Sequence, residues 1–193
     1  MNNTFARCGA FVAATVFASI ANAALIVSVA GSSTHGPPTN ILTATENVSN
    51  PDSVTRTVTL DVSDVGFGPI VSDILAAVSG NLVGATGSTV TFTWYIDRNN
   101  LALTKTELID SFSFTALDAD ESFSHTLTVD LLNDISGQYS MTLETTLTLV
   151  AAGAFTGVNQ TARSPVLQAV PEPATLALLG LGLAGLGFSR RKQ

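Results

Sequence analysis

Gly180, Gly182 and Gly185 stand at the G-x-G-x-x-G spacing that lets a backbone turn approach a pyrophosphate. That fingerprint works between a strand and a helix, with an acidic residue about 20 positions further on. Here prolines come before the glycines, and only eight residues follow Gly185, so no cofactor loop is expected. Two histidines are available as general bases. His35 sits in the loop-like Ser-Ser-Thr-His-Gly-Pro-Pro, and His125 falls on the apolar side of a strand pattern between Phe123 and Leu127. A Ser-His-Asp set is assembled from distant positions and leaves no local mark. The G-x-S-x-G elbow is missing, and a strand histidine packed in place is the expected role of His125. Asp118, Asp120 and Glu121 share one turn, Asp-Ala-Asp-Glu-Ser. Clustered carboxylates suit Ca²⁺, which takes six to eight oxygens. The EF-hand pattern is not met, so a solvated hairpin tip is expected, able to serve as half a Ca²⁺ site if a second loop contributes. No other cofactor is called for. Tyr95 is expected to point outward beside Thr91 and Thr93, where its ring could stack on a sugar or pack on a cross-strand neighbour.

These residues must be positioned by strands. Thr89 to Asp97 alternates, with Val90, Phe92, Trp94 and Ile96 on one side and Thr91, Thr93 and Tyr95 on the other. The same period of two runs through Phe123, Leu127, Val129 and Leu131. It recurs through Tyr139, Met141, Leu143, Leu147 and Leu149, and through Val54, Val58, Leu60 and Val62, where Arg56 is the exception. Phe112 and Phe114 add a further short run. β-Branched and aromatic residues dominate, as half-buried strands prefer. Turn-forming clusters separate the runs at 49–53, 84–88, 97–100, 118–122 and 133–137. Residues 70–84 read equally as a short helix. One-sided alternation over many short strands implies an all-β fold, an antiparallel β-sandwich of jelly-roll-like type. Irregular strand spacing speaks against a solenoid or a flat ice-binding array.

The two ends are apolar and each carries a basic flank. Arg7, an uncharged run over 9–20 and Ala-Asn-Ala at 21–23 have the layout of a secretory signal, with Ala21 and Ala23 as the small residues a signal peptidase requires. Cleavage is expected after Ala23. The apolar run is shorter than the roughly 20 residues of a membrane span. The single cysteine, Cys8, would leave with the leader, so the mature chain is expected to have no thiol chemistry and no disulfide. Residues 24–170 hold fourteen acidic side chains against four basic ones, Arg56, Arg98, Lys105 and Arg163, a net charge of −10. Such a surface repels nucleic acid.

At the other end, Pro171, Glu172 and Pro173 form a stiff extended tripeptide, followed by fifteen uncharged residues and then Arg190, Arg191 and Lys192. As a helix the uncharged stretch is about 22 Å long at ~1.5 Å per residue, short for a ~30 Å hydrocarbon core. A span would need bilayer thinning and snorkelling of the basic end, which belongs on the cytoplasmic side. Small residues such as Gly180 and Ala184 would let another helix approach closely.

This order of Val-Pro-Glu-Pro, apolar helix and Arg-rich end resembles the PEP-CTERM sorting signal. The resemblance covers roughly the last 24 residues and implies recognition by an exosortase, an integral-membrane transpeptidase-like enzyme, with processing at or near the PEP motif. It further implies a Gram-negative bacterium that makes exopolysaccharide, and a place in its matrix or biofilm. The expected organisation is a signal peptide at 1–23, a β-sandwich passenger at 24–169 whose own family is not recognised, and a sorting tail at 170–193. The expected product is anchored in the inner membrane until it is processed, and is then found at the cell surface or in the extracellular matrix. A non-enzymatic matrix protein is the first expectation, a carbohydrate-binding module with or without Ca²⁺ the second, and a hydrolase using His125 or paired acids the last.

Overall fold

The computed structural model describes residues 13–18, 25–36, 39–70, 73–130 and 135–165. Ten strands run in chain order: β1 (Ala13–Ala18), β2 (Ile26–Thr34), β3 (Thr39–Ser49), β4 (Arg56–Phe67), β5 (Asp73–Val83), β6 (Thr89–Asp97), β7 (Glu107–Thr115), β8 (Asp120–Asp130), β9 (Tyr139–Leu149) and β10 (Ala154–Pro165). They form two five-stranded sheets, sheet I in the order β1-β4-β9-β6-β7 and sheet II in the order β2-β3-β10-β5-β8. Every pairing is antiparallel. Among the described residues no helix is long and apolar enough to cross a membrane. The all-β, antiparallel sandwich expected from the alternation is the observed architecture.

Alternation explains why the sheets face each other. On sheet I, Val58, Leu60 and Val62 of β4, Val90, Phe92, Trp94 and Ile96 of β6, and Met141, Leu143, Leu147 and Leu149 of β9 all turn inward and are buried. Sheet II answers with Leu42, Ala44 and Val48 of β3, Ile74, Ala76, Val78 and Leu82 of β5, and Phe155, Val158 and Ala162 of β10. A ladder of rings crosses between the sheets: Phe92 lies 5.5 Å from Phe123 and 6.0 Å from Phe155, centroid to centroid. Offset aromatic pairs at such distances add about 0.5–1.5 kcal/mol each beyond their burial.

Within the stretch 70–84, ambiguous in sequence, Asp73–Val83 form strand β5 rather than a helix. Its inward residues are small at the centre for a packing reason. A Cβ on Gly80 would come within 2.5 Å of Val158 Cγ2 and 2.9 Å of the Phe123 ring. Glycine there admits Phe123 from the neighbouring β8, directly opposite in register. The weak local β-preference of Ala-Ala-Val-Ser-Gly is overridden by that tertiary fit.

Strands β2, β3 and β10 show no apolar alternation in sequence because their inward sides are partly polar. Asn40 and Glu46 interrupt β3, and Gln160 and Ser164 interrupt β10, all four fully buried. A bulge at Gly157, whose φ is 63°, shifts the register of β10 as well. Ala13–Ala18, inside the stretch expected to leave with the leader, pairs antiparallel with β4 at the edge of sheet I in the full chain.

Candidate functional site

The sites suggested by sequence are scattered over the sandwich. Ala21, Ala23, Pro171, Glu172, Pro173, Arg190 and Arg191, and the uncharged stretch of the tail, lie outside the described residues. Tyr95 does lie on the outer side of sheet I, half-buried, opposite Leu108 of β7 and Thr142 of β9. A bulge between Trp94 and Tyr95 sets it beside the exposed Leu108, an ordinary cross-strand contact.

The turn carboxylates are used locally. Asp120 Oδ1 accepts the Gly84 amide at 3.0 Å, and Glu121 Oε2 accepts the Leu117 amide at 2.9 Å. Asp118 is exposed beside them. Among the described residues no three His, Cys, Asp or Glu side chains converge as a metal site would require.

Each histidine meets a carboxylate. His125 Nε2 lies 2.8 Å from Asp110 Oδ2, and its ring stacks on Phe112 at 4.5 Å with planes 4° apart. This clasp joins β8 of sheet II to β7 of sheet I along the open side of the sandwich. His35 Nε2 lies 3.1 Å from Asp64 Oδ2, and Ser33 Oγ donates to the same oxygen. Ser, His and Asp thus meet, but in the wrong order for nucleophilic catalysis. A triad needs the imidazole between hydroxyl and carboxylate, so that it can take the hydroxyl proton. Here Asp64 stands in the middle, with its second oxygen accepting the Val65 amide at 2.8 Å. The arrangement fastens the β2 end of sheet II to β4.

A different centre, absent from the sequence expectations, lies between the sheets. Gln160 Nε2 donates to Glu46 Oε1 at 3.3 Å and to Thr145 Oγ1 from sheet I. Glu46 Oε2 and Gln160 Oε1 are buried without a protein partner. Burial pushes the Glu46 carboxyl up to about 7, against the lowering effect of Thr145 and Gln160 and with a small upward push from Asp61. A proton on Glu46 removes a buried charge, which is the cheaper state for a carboxyl in this interior.

The two outer faces are both rich in Thr and Ser, yet they are finished differently. Residues 98–106, between β6 and β7, fold back over sheet I. The Leu103 amide donates to Ser63 Oγ at 3.0 Å, Ser140 Oγ to the Leu101 carbonyl at 2.7 Å, and the Gly66 amide to Asn100 Oδ1 at 2.6 Å. Asp97 Oδ2 holds the near end of this segment through the Leu101 amide at 3.0 Å. Lys105 Nζ comes within 3.0 Å of Asp61 and also contacts Glu144, two carboxylates directly opposite each other in the β4–β9 ladder. Burial raises the Asp61 carboxyl above its usual range despite the hydrogen bond and charge of Lys105. Asp61, Ser63, Ser140 and Thr142 are buried although they point away from the core.

Sheet II has no such cover among the described residues. One row crosses all five strands: Thr34 of β2, Ile41 of β3, Arg163 of β10, Leu75 of β5 and Thr128 of β8 stand opposite one another in turn. At its β10–β5–β8 part lies a groove of about 370 Å³, lined by Thr39, Asp73, Leu75, Thr128 and Arg163.

No curated protein matches the chain in sequence. Among solved structures, the chain is similar to TmCBM61 in complex with β-1,4-galactotriose, at 10% identity over 69% of this chain and 86% of that one, with a TM-score of 0.35. It is also similar to the C-terminal CBM6 of LamC from Zobellia galactanivorans, at 11% identity over 79% and 99%, TM-score 0.32. A third is the family 11 carbohydrate-binding module of Lic26A-Cel5E from Clostridium thermocellum, at 9% over 83% and 91%, TM-score 0.30. The tail matches directly: residues 169–192 fit the PEP-CTERM protein-sorting motif, so the chain carries that motif after its β-sandwich.

Proposed function

We propose that the chain is an exported protein of a Gram-negative bacterium, processed by an exosortase and delivered to the cell surface or extracellular matrix, where the sandwich serves a non-enzymatic role with exopolysaccharide and biofilm. The match of residues 169–192 to the sorting motif carries this reading. The rest follows from physical features of the two ends. Signal peptidase cuts after Ala23, and the uncharged stretch before Arg190 and Arg191 holds the exported chain in the inner membrane. The prolines of Pro171-Glu172-Pro173 suit a segment presented to a processing enzyme, because proline disfavours both sheet pairing and entry into a helix beyond its first turn. The passenger suits the outside: it is acidic, contains no cysteine because Cys8 lies in the leader, and is held by an extensive apolar core. The placement of Asp64 between Ser33 and His35 supports a passenger without hydrolase chemistry.

A variant with Pro171, Glu172 and Pro173 all changed to Ala tests the reading in the native host. It is expected to accumulate uncut in the inner membrane while the wild type reaches the surface. Equal surface delivery of both would sink the proposal.

The open, hydroxyl-rich face of sheet II favours a second reading, a carbohydrate-binding module. Its finer parts are a Ca²⁺ near Asp118, Asp120 and Glu121, and stacking of a sugar ring on Tyr95. Polysaccharide binding that is lost with EDTA or with Tyr95→Ala would support those parts, and binding indifferent to both would remove them.

A further inference from the structure

The four basic residues of the passenger divide three to one. Arg56 Nε lies 2.8 Å from Asp52, Arg98 Nε lies 2.7 Å from Glu107, and Lys105 bridges Asp61 and Glu144. Arg163 has no carboxylate partner among the described residues, although Asp73 lines the same groove. In a domain with fourteen acidic side chains, a guanidinium without a carboxylate partner among the described residues stands out. Leu75 is directly opposite Arg163, Asp73 is two residues along β5 on the same outer side, and Thr128 is directly opposite Leu75 on β8. Ile41 flanks Arg163 on its other side. Arg163 is thus flanked in register by two apolar residues, Ile41 and Leu75, and lines the groove.

Resting on the carbohydrate-binding reading above, we infer that the groove formed by Arg163, Leu75, Asp73, Thr39 and Thr128 is a subsite for a neutral glycan, gripping one pyranose through neighbouring ring hydroxyls. The guanidinium presents several N–H donors in a plane, and two adjacent hydroxyl oxygens accept them together. Asp73, diagonal to Arg163, accepts a hydrogen bond from a further ring hydroxyl, since a carboxylate offers about four acceptor positions and can serve more than one donor. Leu75, opposite Arg163 and two residues from Asp73, adjoins both as a floor for the C–H side of the ring. Thr39 and Thr128 can each donate or accept at the margins. Donor and acceptor beside an apolar floor match a polyol, which is both donor and acceptor around an apolar ring. A polyanion fits poorly, because Asp73 and Asp130 stand directly opposite each other at the same end of the sheet.

Affinity electrophoresis of the full-length chain in mild detergent tests this, with galactan, glucomannan, xylan, β-glucan and polygalacturonate in separate gels. At least one neutral polysaccharide is expected to retard the wild type. Arg163→Ala should weaken that retardation about tenfold or more, the scale of a charged hydrogen-bonding group, and Arg163→Lys should restore it only in part because an ammonium lacks the planar pair of donors. Arg56→Ala, which removes a charge elsewhere, should bind like the wild type, and thermal melts should show Arg163→Ala folded. Retardation unchanged in Arg163→Ala would overturn the subsite while leaving the carbohydrate-binding reading intact. No retardation of the wild type by any of the polymers would overturn both. Retardation by polygalacturonate alone would overturn the neutral-glycan assignment in favour of a carboxylate on Arg163. Self-association of the chain that disappears in Arg163→Ala, without polysaccharide binding, would assign the face to a second copy instead.

Discussion

The outer faces of sheets I and II are written in nearly the same residues and end in opposite conditions. Both are ladders of Thr and Ser, with hydroxyl pairs such as Thr57 with Thr148 on sheet I and Ser32 with Thr43 on sheet II. On sheet I the chain itself then occupies the face. Residues 98–106 bring backbone donors and acceptors to Ser63, Ser140 and Thr142, and Lys105 to a facing pair of carboxylates. On sheet II the hydroxyls pair only with near neighbours, and the one base on the face meets no carboxylate among the described residues. Polar outward strand positions thus carry two meanings. They are structural where a connecting segment returns over them, and exposed where, among the described residues, none does.

The largest effect is expected in the interior beneath both faces. The Glu46 carboxyl is raised from 4.5 to about 7 by burial, so the folded state binds a proton that the unfolded state releases between those values. Its contribution is fully present below about pH 4.5 and is lost as pH rises through about 7. The loss is on the order of 3 kcal/mol at ~1.4 kcal/mol per unit. Denaturant unfolding at several pH values should show a downward slope over that window in the wild type relative to Glu46→Gln, which carries no titrating group there. Parallel curves for the two would show that Glu46 does not hold its proton.

Next comes the covered face. Lys105→Ala leaves Asp61 and Glu144 opposed, with Asp61 buried, and should cost about 1–2 kcal/mol in denaturant unfolding. Ser63→Ala removes the hydroxyl that bonds the Met141 carbonyl and the Leu103 amide, and should cost about 1 kcal/mol or more. If either variant were as stable as the wild type, the claim that sheet I is structurally closed would fail.

The smallest effects belong to the open face. Arg163→Ala and Thr126→Ala should each shift unfolding by less than about 0.5 kcal/mol, as exposed positions without a polar partner among the described residues do. A loss comparable to that of Lys105→Ala would show that sheet II is also covered in the native protein, and the contrast between the faces would disappear.

The parts of this account that were legible in sequence are those where burial and alternation coincide. β6 and β9 could be read residue by residue, because Val90 to Ile96 and Met141 to Leu149 turn apolar side chains inward with few exceptions. β3 and β10 could not, since Asn40, Glu46, Gln160 and Ser164 face the core and look like surface residues in a one-dimensional pattern. Their partners are distant: Glu46 and Gln160 come from strands at opposite ends of the passenger, and Thr145 from the other sheet. The same distance hid the Ser33–His35–Asp64 clasp and the return of Lys105 to Asp61. The reading of Tyr95 as outward-facing agrees with its position on sheet I. Nothing local, however, distinguished its face, which the 98–106 segment covers in part, from the open one. The tail was legible for the opposite reason, since a sorting signal is read as a linear order of proline, apolar helix and basic end.

The central claim, that two address segments flank a sandwich passenger and are removed in turn, is tested most directly by intact-mass and terminal-peptide analysis of the protein recovered from the envelope and medium of its native host. The account predicts a mature chain that begins at Ala24 and ends at or near Pro171-Glu172-Pro173. A surface form that still ends in Ser-Arg-Arg-Lys-Gln would contradict it.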